Sequence, residues 1–107
     1  MKLTDLEPEF LRIKSETAID TKIESLDDAQ GVMFLCPVCF QANGGNVGTH
    51  SVMCWFRDRE VPDSQTPGPG RWTPSGTGFE DLSLTPSVLL PTAECAWHGW
   101  VTNGEVL

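Results

Sequence analysis

No apolar run in this sequence reaches signal-peptide or membrane-span length, and its opening, MKLTDLEPEF, alternates charge with apolar residues. Neither a secretory leader nor a bilayer anchor is therefore expected, and the chain reads as soluble and cytoplasmic, with no membrane partner. Basic residues are scarce: seven Lys and Arg stand against fifteen Asp and Glu, a net charge of -8. That balance argues against a broad phosphate-binding face and so against nucleic acid as partner; a protein or peptide is the class to expect. The His-Glu-x-x-His helix of a metal-catalytic hydrolase is missing too, as are internal repeats and heptads.

What is present is one small domain's worth of chain. Its 107 residues allow a single core, and with ten Gly and eight Pro that core needs a staple beyond apolar burial. The four cysteines are the candidates. In a reducing cytosol, the Cys-x-x-Cys spacing of Cys36 and Cys39 in MFLCPVCF favours a metal over a bridge.

Residues 10–13 and Ala18–Ile23 alternate apolar with polar, as edge or half-buried strands do. Ser25 is placed to cap a short helical turn over SLDDAQ, stopped at Gly31. The continuous run GVMFL reads as a central strand, QANGGNVGT as a flexible loop, and HSVMCWF as a strand with His50, Val52, Cys54 and Phe56 on one face. Residues 57–78 hold too many Pro, Gly, Ser and Thr for a regular element and are expected to be a surface loop or mobile flap, with Trp72 packing down. LSLTPSVLL reads as a strand interrupted by Pro86, which points to an edge or a bulge, and Asn103-Gly104 suits a type I′ hairpin turn. The four tryptophans, Trp55, Trp72, Trp97 and Trp100, either complete a thin core or line a peptide-binding surface. The expected fold class is mainly β, a small β-rich α+β domain: one zinc-ribbon-like unit over 1–107 with one short helix. N-terminal strands and the helical turn fill 1–30, and a metal-binding core fills 31–107, with its flexible Pro/Gly-rich loop at 57–78.

A structural zinc takes four Cys or His ligands, and six candidates exist: Cys36, Cys39, His50, Cys54, Cys95 and His98. If GVMFL and 50–56 form an antiparallel hairpin, His50 enters beside the knuckle while Cys54 lies roughly 13 Å further along, at about 3.3 Å per residue, beyond the reach of a shared ion. Cys54 then reads as a buried apolar residue. Cys95, in CAWH, is the choice for the second half, with His50 or His98 as fourth ligand. A compact set of Cys36, Cys39, His50 and Cys54 remains open on another strand register.

The stretches MFLCPVCF, GTHSVMCWF, PGPGRWTPSGTGF, LSLTPSVLL and CAWHGWVTNGEV together resemble a family of small cysteine-knuckle proteins abundant in tailed phages and also found in bacteria. Some bacterial members look like serine-type peptidases that process the modifier in ubiquitin-like conjugation operons. The resemblance covers roughly residues 30–107. It places the family's Pro-Ser pair on Pro86 and Ser87, its Cys-x-x-His on Cys95 and His98, and its knuckle on Cys36 and Cys39. The bacterial knuckle has three closely spaced cysteines, so His50 would stand in for the third.

What this implies is a zinc-stabilised hydrolase in which Ser87 is the nucleophile and His98 its base. A serine hydroxyl needs a nearby imidazole to take its proton, and an imidazole already bound to zinc cannot do so. His98 as base therefore goes with His50 as ligand, giving a zinc set of Cys36, Cys39, His50 and Cys95. No orienting carboxylate is selected between Asp81 and Glu94. The alternative is a non-catalytic zinc-binding adaptor for a host or virion protein, acting in the host cytoplasm if the chain is phage-encoded.

Overall fold

The computed structural model describes residues 1–89 and 97–107. Alternating apolar and polar residues give β1 (Glu9–Ser15) and β2 (Ala18–Ile23), an antiparallel pair with Ser15 opposite Ala18. Ser25 then caps as expected, its Oγ accepting from the Asp27 amide, but the turn it starts is a 3-10 helix, Leu26–Asp28. The apolar run Gly31–Leu35 becomes β3, between β1 and β4 (Ser51–Trp55), so the first sheet has the order β2-β1-β3-β4. Gly31 is required there, because a Cβ would meet the Trp55 ring at 2.8 Å.

The α-helix lies elsewhere than the sequence suggested. It is α1 (Pro37–Asn43), within the knuckle and the start of the expected loop. Pro37 sits in its first turn, where a missing N–H costs nothing, and Gly44 ends it in the left-handed conformation at φ +69°.

The second sheet corrects the reading of 57–78. Residues Thr73–Ser75, expected as loop, form β5, which acquires strand geometry by pairing with β6 (Ser83–Leu89). β7 (His98–Thr102) and β8 (Glu105–Val106) complete the order β5-β6-β7-β8. Pro86 lies in an interior strand, at a register irregularity between Leu84 and Val88, which is the bulge its presence predicted. Asn103 (φ 48°) and Gly104 (φ 77°) make the tight turn joining β7 to β8. The remainder of the long loop is pinned by its own cation: the Arg71 guanidinium donates to the carbonyls of Pro62, Gln65, Pro67 and Gly70.

The molecule is thus mainly β, two antiparallel sheets sharing one core. Phe10, Val32, Phe34, Val52 and Cys54 come from the first sheet, and Leu84, Val88, Val101 and Val106 from the second. Burying each larger side chain contributes about 1.5–3 kcal/mol. A 3-10 helix at Leu3–Leu6 adds two fully buried leucines, and Trp97 packs edge-on against Phe34 with centroids 6.1 Å apart. Trp55 is buried as well, its Nε1 donating to the Thr66 carbonyl. Trp72 is half-buried and Trp100 remains exposed. No helix among the described residues is long and apolar enough to cross a membrane.

Candidate functional site

Two constellations lie at the junction of the sheets. The first grows from the β3–α1–β4 unit. Cys36 follows β3 and precedes α1, Cys39 lies in the first turn of α1, and the antiparallel register brings His50 back to them: the Cys36 amide donates to the His50 carbonyl at 2.9 Å. The two sulfurs and an imidazole nitrogen lie within 4.8 Å of one another, so the group could hold a metal ion. Cys36 is buried, Cys39 half-buried and His50 exposed.

Cys54 stands apart from this group. It pairs with Val32 in the register and is fully buried, and desolvation pushes its thiol up from 9.0 to about 12. A thiol held so strongly in its neutral form packs as an apolar group. Cys95 falls outside the described residues.

The second constellation comes from β6 and β7. Val88 pairs with Gly99 and Leu89 with His98, and Val88 points into the core, so Ser87 and Leu89 share the outer face with His98 and Trp100. On that face Ser87 Oγ lies 2.9 Å from His98 Nε2. Ser87 is half-buried and His98 exposed. The indole Nε1–H of Trp72 donates to the Ser87 carbonyl at 3.2 Å, tying down the strand that carries Ser87. Leu89 (58% exposed) and Trp100 (51%) leave apolar surface beside the pair.

Of the two carboxylates weighed from sequence, Asp81 is committed to its own turn. It accepts from the Thr77 amide and hydroxyl and from the Gly78 amide, which hold its carboxyl below the usual range. Glu94 lies outside the described residues.

A cleft of about 520 Å³ opens next to the pair, between β4, the Pro-Gly run 67–70, the Trp72 ring and the end of β6. Val88 and Leu89 line it, whereas Ser87 and His98 sit just beyond. The cleft and the serine–histidine contact thus share the end of β6. A serine with an imidazole at hydrogen-bond distance is the arrangement of acyl transfer. A family model described as bacterial ubiquitination-like system serine protease (BubE) matches residues 5–107. The chain belongs to this family. No curated protein matches it, and no solved structure does. The match includes the N-terminal strands, which lay outside the resemblance read over residues 30–107 and whose Phe10 packs in the shared core. The sequence reading of Trp72, as a core residue or part of a peptide-binding surface, did not include its bond to Ser87, which depends on a β5–β6 pairing that composition conceals.

Proposed function

We propose that this chain is a serine-type peptidase acting on proteins of a ubiquitination-like system, with Ser87 as nucleophile and His98 as general base. The observation that carries this reading is the 2.9 Å contact between Ser87 Oγ and His98 Nε2 in a member of a serine protease family. With its proton on Nδ1, the imidazole accepts the hydroxyl proton at Nε2 as Oγ attacks the scissile carbonyl carbon. The proton then passes to the departing amine, leaving an acyl-serine. Water, deprotonated by the same Nε2, hydrolyses that ester and restores the hydroxyl.

Zinc is the metal whose preferences suit two thiolates and an imidazole. In this reading Cys36, Cys39 and His50, with Cys95 as fourth ligand, hold one zinc in a zinc-ribbon-like β3–α1–β4 unit, and His98 remains available as base. Its task would be structural, fastening the start of α1 to His50 ahead of β4. The reducing cytoplasm is the compartment that keeps such thiols available.

The test is a serine-reactive fluorophosphonate together with elemental analysis. The wild-type protein should be labelled, Ser87→Ala should not, and both should carry about one zinc. The adaptor reading draws on exposed Leu89 and Trp100, which would serve a binding face equally well. Zinc without labelling would favour it.

A further inference from the structure

The open edge of β4 has an outward polarity that its bonds to neighbours define. The Phe56 amide donates to Gln30 and the Cys36 amide to His50, so residues 50, 52, 54 and 56 turn their main-chain groups toward β3. Ser51, Met53 and Trp55 therefore turn theirs away. Trp55 is already used: its carbonyl accepts from the Trp72 amide, where residue 72 runs parallel beside Phe56. Among the described residues, nothing pairs with the outward groups of Ser51 and Met53, and both line the cleft.

We infer that this cleft receives an extended, uncharged stretch of substrate polypeptide, added as a strand to β4 at Ser51 and Met53. A chain laid there continues the ladder that Trp72 begins, gaining main-chain bonds on that side. The facing wall contributes prolines at 67 and 69, which have no N–H to offer, so β4 sets the register. Among the described residues the lining contains no Asp, Glu, Lys or Arg, although the protein carries a net charge of -8. A charged side chain entering it would lose water without gaining a partner, whereas an uncharged chain loses little. Leu89, which shares the outer face with Ser87, lines the same cleft, and Trp72 joins its wall to the Ser87 carbonyl. The peptidase reading supplies the use of this site: the chain is held within a few residues of the nucleophile.

The experiment uses full-length Ser87→Ala protein, so binding is read without turnover. Two pools of acetylated, amidated octapeptides are titrated in: one randomised over Val, Thr, Leu, Ala, Ser and Gly, the other with Asp at alternate positions. Residue-resolved amide exchange should show the Ser51 and Met53 amides protected by the uncharged pool, and the acidic pool should bind at least tenfold more weakly. Met53→Pro, which removes an outward N–H while leaving the bonds to β3 in place, and Leu89→Glu, at an exposed position, should each weaken the uncharged pool at least tenfold. Absence of protection at Ser51 and Met53, or protection at β2 or β8 instead, overturns the inference. Fluorophosphonate labelling of wild-type protein separates the two ideas. Protection without labelling keeps the cleft and removes the peptidase; labelling without protection does the reverse.

Discussion

Trp72 and Ser87 belong to segments fifteen residues apart, yet the indole N–H of one donates to the carbonyl of the other at 3.2 Å. Trp72 is also bonded through its main chain to Trp55 and Arg57, so one residue connects the edge of the first sheet to the strand carrying Ser87 in the second. Replacing Trp72 by Phe keeps the ring and removes the donor. The expected result is a loss of about 0.5–1.5 kcal/mol in stability and severalfold slower fluorophosphonate labelling of Ser87. Labelling at the wild-type rate would show that this bond does not position the serine.

Metal content should divide the two histidines. His50→Ala, Cys36→Ser and Cys39→Ser are expected to lose the ion, and His98→Ala to retain it while labelling is abolished. Elemental analysis of the four purified variants checks this. Loss of metal from His98→Ala would make that imidazole a ligand and leave Ser87 without a base.

Cys54→Ala should keep the metal and cost about 1–3 kcal/mol at neutral pH from lost packing. Its dependence on alkali has a definite sign. The folded thiol is raised from 9.0 to about 12, so its contribution to stability is complete below pH 9 and drains away as pH rises toward 12. The unfolded chain releases that proton first. Denaturant titrations between pH 8 and 10.5 should show the stability gap between wild type and variant narrowing, by at most about 1.4 kcal/mol per pH unit. A constant gap would mean that the thiol ionises normally.

Gly31→Ala places a methyl group against the Trp55 ring and the Cys54 carbonyl. Overpacking of this kind costs about 1–3 kcal/mol, and it should lower the thermal midpoint without changing the metal. An unchanged midpoint would mean that the ring moves aside freely.

Much of the first sheet could be read from residue order. The alternation in Ala18–Ile23, the run GVMFL and the hairpin that carries His50 back to Cys36 are local patterns, and each became the element expected. The same register explains why Cys54 was set apart from the knuckle. The helix was legible only in part: Pro37 and Gly44 are ordinary start and stop signals, but the cysteines drew the reading toward a bare knuckle. Thr73–Ser75 could not be found, because its strand geometry comes from β6 and its composition is that of a turn. The Ser87 pairing came from resemblance; residue types alone would have left a serine after proline as a strand-edge residue.

The tip of the β7–β8 hairpin has a consequence in time. Leu3 donates to the Gly104 carbonyl, the Val106 amide donates to Met1, and Lys2 bridges to Glu105, so residues 1–3 lie along the last strand of the second sheet. The sheet bearing Ser87 and His98 therefore cannot be completed until residue 106 has cleared the ribosome. A chain halted before then holds Ser87 and His98 on a sheet that lacks its last strand.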